Sequence, residues 1–272
     1  MLDTKDAALK MTTDLRLGDC LDVMKNMDAN SIDITVTSPP YDNLRTYNGF
    51  TFDFEGIAQE LYRVTKDGGV VVWIVGDATI NGSESGTSFR QALYFMQCGF
   101  NLHDTMIYQK HNFSNPSNNR YHQIFEYMFI LSKGKPKSFN PILDRKNIEA
   151  GKVGSWGKNT VRQKDGSFKE NIRKVNSEYG MRYNIWRIKT EMNPLHPAQF
   201  SEQLAQDHII SWSNEGDTVL DCFLGSGTTG KMAKQLNRNF IGIEISQEYM
   251  DIAEKRIKSD ILTEFDKYGK VT

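Results

Sequence analysis

The chain has 272 residues, of which 39% are hydrophobic and 25% are charged, and its formal net charge is −1. This length is enough for one large α/β domain, or for a core domain that carries an insertion. No apolar run approaches the roughly 18 residues of a membrane helix, and the amino terminus lacks an apolar signal region. The three cysteines stand alone, without the paired spacing of a zinc site or a disulfide framework. These features disfavour membrane and secreted classes and fit a reducing cytoplasm, with no bound metal expected.

Positive charge is concentrated in one part of the chain. Between Lys133 and Lys189 there are 15 Lys or Arg residues against five Asp or Glu residues, so this stretch carries +10 and the remainder −11. A basic block of this kind indicates a polyanionic partner. A basic disordered loop would have the same composition and is the alternative.

Strands and helices alternate on the amino-terminal side of the basic block. The predicted strands are Leu15–Leu17, Asp33–Thr37, Val70–Val75, Leu102–Gln109 and Glu126–Ser132, and the predicted helices end at Met27, Thr65 and Gln97, with Lys66–Gly69 terminating the second. Asp19, at the end of the first strand, is either a helix cap or a ligand contact. The alternation predicts a mostly parallel sheet that helices cover on both faces.

The periodicity disappears from Lys133 to about Asn193, and we interpret this stretch as an insert. Its charges are interleaved with aromatic residues, namely Trp156, Phe168, Tyr179, Tyr183 and Trp186. Such a composition is typical of surfaces that grip nucleic acid. We expect Tyr183 and Trp186 to be the rings that are buried in the insert's own small core.

The alternation resumes after His196-Pro197. The predicted elements are a helix over Glu202–Trp212, a strand over Thr218–Cys222, a helix to Leu236, a strand over Phe240–Ile245 and a helix from Gln247 past Ile257. Arg256 lies at helical spacing with the apolar residues of the last helix, and we interpret that face as core.

The strand Asp33–Thr37 runs directly into Ser38-Pro39-Pro40-Tyr41. The two prolines end the strand and hold the Ser38 hydroxyl, the Pro39 carbonyl and the Tyr41 ring in a nearly fixed relation. Open α/β sheets bind their ligands at the carboxyl ends of strands. An exocyclic amino group on a flat ring would fit here, because Ser38 and the Pro39 carbonyl can each accept one N–H while Tyr41 stacks on the ring. A simple Pro-Pro turn with Tyr41 packing outward is the alternative.

Gly225, Gly227 and Gly230 match the pattern GxGxxG between a predicted strand and a predicted helix. Glycines at these positions allow a tight turn and let a ligand approach the backbone at the amino end of the helix. Glu244, at the end of the next strand, is where a residue that binds ribose hydroxyls belongs. Nicotinamide, flavin and S-adenosylmethionine sites all use variants of this motif.

The position of the glycine motif favours one of these ligands. Only about 28 residues follow Glu244, so the strands before residue 133 must complete the sheet. That implies a circularly permuted sheet in which the loop at 37–41 and the turn at 221–228 share one rim. Asp221-Cys222-Phe223 suits S-adenosylmethionine, because it offers a carboxylate for the amino group and apolar surface for the rest.

With the two motifs in this order, the chain resembles the β-class exocyclic-amino DNA methyltransferases, in which the catalytic motif precedes the cofactor motif. The resemblance covers most of 15–132 and 196–258. It is carried by Thr37–Tyr41 as the catalytic motif, Asp221–Thr229 as the main S-adenosylmethionine motif, Gly242–Glu244 as the ribose-binding strand end, Leu17–Asp19 as the adenine-side acid, and His196–Phe200 as the cofactor-proximal segment.

The resemblance implies an α/β fold with a Rossmann-like methyltransferase sheet, circularly permuted, and an inserted target-recognition region. The implied domains are a catalytic half at 14–132, the target-recognition insert at 133–193 and a cofactor-binding half at 194–272. The implied catalytic residues are Ser38, Pro39, Pro40 and Tyr41, and the implied residues binding S-adenosyl-L-methionine are Asp19, Phe200, Asp221, Phe223, Gly225, Ser226, Gly227, Thr228 and Glu244.

The implied reaction is site-specific methyl transfer from S-adenosyl-L-methionine to the exocyclic amino group of a base flipped out of double-stranded DNA. In the family, Ser at the catalytic position goes more often with cytosine N4, and Asp or Asn with adenine N6. We therefore favour cytosine N4, with adenine N6 as the alternative. A catalytically silent DNA-binding protein and an RNA or small-molecule methyltransferase stay open, as do a cognate restriction endonuclease as partner and a homodimer.

Overall fold

The computed structural model describes residues 11–40, 52–113, 118–153, 160–170, 175–189 and 201–259. The chain divides into two compact units, one formed by Met1–Asn140 with Asn184–Thr272 and the other by Pro141–Tyr183. None of the helices in the described ranges has both the length and the apolar character needed to cross a bilayer.

The described residues form 14 strands and six helices. In chain order these are β1 (Thr13–Leu17), α1 (Cys20–Lys25), β2 (Ile32–Thr37), α2 (Phe54–Val64), β3 (Thr65–Val75), β4 (Thr79–Ile80), β5 (Ser83–Glu84), α3 (Thr87–Gln97), β6 (Asn101–Gln109), β7 (Phe125–Ser132), β8 (Arg145–Lys146), β9 (Thr160–Arg162), β10 (Phe168–Glu170), β11 (Tyr179–Gly180), β12 (Ile185–Arg187), α4 (Glu202–Trp212), β13 (Thr218–Asp221), α5 (Thr228–Gln235), β14 (Asn239–Glu244) and α6 (Gln247–Ser259).

An eight-stranded sheet with the order β1-β14-β13-β2-β3-β7-β6-β12 forms the centre of the larger unit. The first five strands in this order are mutually parallel, whereas β7 is antiparallel to both β3 and β6. The predicted mostly parallel sheet is therefore confirmed. Because β13 and β14 come from the far end of the chain yet lie between β1 and β2, the strand order is circularly permuted, as expected.

The central strands are apolar because helices cover the sheet. All six residues of β2 are buried, and so is the run Val70–Val75 in β3, which is typical of parallel strands enclosed on both faces. Helix α2 buries one face against them, and Asp53 caps its start by accepting a hydrogen bond from Gly56 N. Phe95 meets Phe54 and Trp73 edge to face, and Phe54 and Trp73 are tilted against each other, so aromatic packing closes this side of the core.

Two boundaries differ from the prediction. Lys66–Gly69 does not lie outside the third strand, because β3 begins at Thr65 and pairs with Ile32 before the register shifts to Ile34 and Val70. The four residues form a bulge, and Gly68 adopts a positive φ of 79° there. Helix α1 ends at Lys25, two residues before the predicted end at Met27.

The smaller unit, Pro141–Tyr183, contains two short antiparallel pairs, β8 with β11 and β9 with β10. The prediction that Tyr183 is buried was wrong, since 67% of the residue is exposed and its ring lies 4.8 Å from the guanidinium carbon of Arg145. Trp186 is buried as predicted, but in strand β12 at the edge of the main sheet. A unit this short encloses little volume, so its described large rings, Phe168, Tyr179 and Tyr183, are exposed. Trp156 lies outside the described residues.

The hydrogen bond between Trp73 and Gln91 provides a test of the core. Trp73 Nε1 donates to Gln91 Oε1 at 2.8 Å, and both side chains are buried. The Gln91→Leu variant leaves the indole N–H without an acceptor, so we expect the free energy of unfolding in urea to fall by about 1–3 kcal/mol. Gln59→Leu is the matched control, because Gln59 Nε2 donates to the Tyr94 hydroxyl at the surface; we expect a change below about 0.5 kcal/mol. Equal losses in both variants would contradict the prediction.

Candidate active site

The two motifs singled out in the sequence meet at the carboxyl end of adjacent strands. Strands β2 and β13 are parallel neighbours, with Ile34 opposite Val219. At their ends, Thr37 Oγ1 donates to Asp221 Oδ1 at 2.7 Å, a buried hydrogen bond between residues 184 positions apart. The end of β2 and the start of the turn at 221–228 (the glycine turn) therefore lie at one rim of the sheet, as the permuted arrangement requires.

The Asp221 carboxyl is enclosed at this junction, with only 1% of the residue exposed. Burial raises its pKa from 3.8 to about 6, and hydrogen bonds from Thr37, Thr229 and the Phe223 amide oppose that rise. Asp221 therefore keeps its proton to a higher pH than a solvated carboxyl does. The geometry gives Asp221 the role of fastening β2 to the turn, and contact with a ligand through this side chain stays a prediction.

The glycine turn after β13 has the backbone conformation that its sequence requires. Gly225 and Gly227 have positive φ values of 52° and 82°. A Cβ on Gly227 would lie 3.0 Å from the Cα of Ala253 in α6, so a side chain there would be both strained and crowded. The Glu244 carboxylate accepts hydrogen bonds from Gly225 N at 2.8 Å and Ser246 N at 2.9 Å. Glu244 therefore links the glycine turn to the end of β14.

The hydroxyls of Ser226 and Thr228 face away from solvent, and both residues are buried. Each accepts a hydrogen bond of 3.1 Å from Nη1 of Arg256. Arg256 was expected to belong to an apolar core face, and the structure instead makes it a hydrogen-bonding group behind the turn. The helical spacing in α6 correctly predicted that Arg256 points inward. Because an Arg that points inward needs buried hydrogen-bond acceptors, its place on that face was the sequence signal for a hydrogen-bonding role.

Two further predicted cofactor residues have structural partners. The Phe223 ring meets Phe52 and Trp73 edge to face, at centroid distances of 5.8 and 6.2 Å. Asp19 caps helix α1, because its Oδ1 accepts from Leu21 N at 2.9 Å. Of the two interpretations of Asp19, the helix cap is therefore observed.

The catalytic motif begins at this same rim. Ser38, Pro39 and Pro40 follow β2 directly, with Pro39 buried and the other two partly buried. Tyr41 and Phe200 lie outside the described residues, and so does His196-Pro197. Among the predicted residues that are described, the rim therefore brings together the Ser-Pro-Pro turn, the glycine turn and Glu244.

The Asp221→Asn variant isolates the pH dependence of the buried carboxyl. With a pKa of about 6 when folded against 3.8 when solvated, the folded chain holds this proton more tightly than the unfolded chain between those values. As the pH rises from about 3 to about 7, the stability of the unsubstituted protein should fall relative to the variant by about 3 kcal/mol in total, at about 1.4 kcal/mol per pKa unit. Urea unfolding at several pH values measures this difference. A difference that stays constant over this range would mean that the carboxyl titrates normally.

The chain is similar to known proteins in sequence and in fold. A family model described as DNA methylase matches residues 32–255. The orphan methyltransferase M.BamHII of Bacillus amyloliquefaciens is 56% identical over 264 residues, which cover 90% of this chain and 96% of that protein. The DNA modification methylase TTHA0409 of Thermus thermophilus, solved with S-adenosyl-L-methionine, superposes with a TM-score of 0.62 at 24% identity, over 90% of this chain and 93% of that one.

A further solved structure has the same fold. The cytosine-N4-specific PvuII DNA methyltransferase superposes with a TM-score of 0.67 at 19% identity, over 94% of this chain and 89% of that one. The family model spans most of the chain, and M.BamHII is similar along nearly its whole length. The chain therefore belongs to the N6/N4 DNA methylase family.

Proposed function

We propose that this DNA methyltransferase modifies cytosine at N4 in a specific sequence of duplex DNA. The hydrogen bond between Thr37 and Asp221 carries the proposal, because it joins the strand that leads to Ser38 to the strand that leads to the glycine turn. Ser38 favours cytosine N4 through the resemblance, in which Asp or Asn more often accompanies adenine N6. Since the relative M.BamHII is named an orphan methyltransferase, the proposal includes no cognate restriction endonuclease.

The rim suits S-adenosyl-L-methionine, the methyl donor of the family. When bound, this cofactor supplies a methyl group on a positively charged sulfur. The glycine turn lets a ligand approach the backbone, and the amino end of α5, which no described side chain caps, favours a carboxylate. The oxygens of Glu244 each accept one backbone N–H and retain lone pairs for ribose hydroxyls. Within the described ranges, the two amide bonds to Asp19 both go to Oδ1, and Oδ2 would accept a hydrogen bond on the adenine side.

Ser38 and Pro39 would prepare the acceptor. An amino nitrogen conjugated to a ring is a weak nucleophile because its lone pair is delocalised. If the Ser38 hydroxyl and the Pro39 carbonyl each accept one of its hydrogens, the nitrogen becomes pyramidal and its lone pair points at the methyl group. No covalent protein intermediate is needed. The contribution of these residues is positioning, for which a misplacement of about 1 Å can cost roughly 100-fold in rate.

The charge distribution supports DNA as the substrate. A flipped base costs a few kcal/mol of unstacking, which contacts to the strand and the base must offset. Phe168 and Tyr183 are exposed in the basic smaller unit, where they can stack on bases. At the rim itself, the connection from Lys110 to Ile124 contains no Asp or Glu, and it leaves the sheet where Gln109 pairs with Phe125. Phosphates would therefore meet no fixed negative charge along this connection.

The identity of the methylated base and the role of Ser38 can be tested together. We expect nucleosides from DNA incubated with the protein and S-adenosyl-L-methionine to contain N4-methylcytosine by mass spectrometry. Ser38→Ala should lower the rate of methyl transfer by roughly 100-fold, because the amino group loses one acceptor, while calorimetry finds unchanged cofactor binding. N6-methyladenine in the digest would show that adenine, and not cytosine, is the methylated base. Undiminished turnover by the variant would show that Ser38 is not part of the site.

The Gly227→Val variant tests the cofactor site. A side chain at this position would contact Ala253 in α6 and would strain a backbone with a φ of 82°, so we expect no measurable binding of S-adenosyl-L-methionine by calorimetry. Circular dichroism and thermal unfolding check that the variant is folded, and Gly227→Ala serves as a milder substitution at the same place. A folded variant that binds the cofactor with unchanged affinity would exclude the glycine turn as the site.

A further inference from the structure

Three charged side chains join helices α4, α5 and α6 directly behind the glycine turn. Arg256 of α6 donates from Nη2 to Glu202 Oε1 at 2.5 Å, and Lys231 of α5 donates to both oxygens of Glu202 at 3.0 Å. Burial disfavours the charge on Glu202, but the hydrogen bonds from Arg256 and Lys231 outweigh it and lower its pKa. Glu202 is therefore a fixed anion that orients the guanidinium of Arg256.

The other end of that guanidinium faces the turn. Nη1 of Arg256 donates to the hydroxyls of Ser226 and Thr228, each at 3.1 Å. These two residues flank Gly227, which has a positive φ of 82° and no side-chain cap at the start of α5. Glycine has the most backbone freedom of any residue. The turn is therefore held on both sides of its least restrained residue by a single rigid, planar group.

We propose that Arg256 is a positioning residue that preorganises the glycine turn for the methyl donor. The inference rests on the proposed cofactor site at that turn, because Arg256 would act through Ser226 and Thr228. A turn that is already ordered loses less conformational entropy when a ligand binds. Without Arg256, the turn samples other conformations, and only the fraction in the competent conformation binds. The affinity for the cofactor then falls, while the chemical step at saturating cofactor is unchanged.

The Arg256→Gln variant tests this role without DNA and without turnover. We expect the Kd for S-adenosyl-L-methionine, measured by calorimetry, to rise about 10-fold. In the ligand-free protein, the backbone amides at 226–228 should exchange with deuterium at least several-fold faster than in the unsubstituted chain. In methylation assays, KM for the cofactor should rise while kcat stays within about twofold.

A matched arginine separates positioning from simple stabilisation. Arg63 of α2 is also partly buried, pairs with Glu60 and donates to the carbonyls of Met24 and Met27, so Arg63→Gln removes a comparable set of bonds elsewhere. We expect both variants to lower the thermal unfolding midpoint, but only Arg256→Gln to change cofactor affinity. Arg256→Lys keeps the charge near Glu202 and lacks the planar fork, so its Kd should be intermediate.

A double-mutant cycle identifies the route of the effect. If Arg256 acts through the two hydroxyls, Arg256→Gln should change the Kd little in a chain that already carries Ser226→Ala and Thr228→Val. An Arg256→Gln protein with unchanged Kd and unchanged amide exchange would overturn the inference, whatever its unfolding midpoint. Failure of the proposed cofactor site has a separate signature, since the folded Gly227→Val protein would then still bind S-adenosyl-L-methionine.

Discussion

The arrangement of the site depends on one buried hydrogen bond between two strand ends. Thr37 and Asp221 are 184 positions apart, and their side chains meet at 2.7 Å. A one-residue slip in the pairing of β2 with β13 would turn either side chain to the opposite face and break this bond. The bond therefore fixes the register of the two strands that lead to Ser38 and to the glycine turn. The relative position of Ser38 and the glycine turn follows from that register.

The circular permutation explains why this contact can form at all. In the sheet order, β13 lies between β14 and β2, so the glycine turn and the Ser-Pro-Pro turn leave neighbouring parallel strands at the same edge. The surrounding elements hold each turn separately. Glu244 binds the front of the glycine turn through Gly225 N, and Arg256 binds its back through two hydroxyls. Fixed dipoles and charges thus surround a turn whose glycines would otherwise leave it mobile.

The elements that carry the fold were readable from the sequence because their signals are local. β2 and β13 are short β-branched or apolar runs that end at prolines and glycines, and helix α4 has the predicted bounds, Glu202–Trp212. The bulge at Lys66–Gly69 was missed, since a Gly-Gly pair signals a break equally well in a turn and in a strand. The inward direction of Arg256 was predicted from helical spacing, but its hydrogen-bond partners were not, since tertiary structure supplies them. Tyr183 was wrongly predicted to be buried, because the sequence does not show how small the core of its unit is.

A buried Asp221 is a costly way to hold two strands together. Its raised pKa of about 6 means that the fold is less stable with this group charged, and an apolar pair of similar volume would be expected to pack there without that penalty. An apolar pair has no directional preference, however, and would tolerate small shifts between β2 and β13. The hydrogen bond between Thr37 and Asp221 does not tolerate such shifts, because the donor side chain is short and the acceptor is fixed. The loss of stability is therefore consistent with selection for the relative placement of the two turns, which methyl transfer by positioning would require.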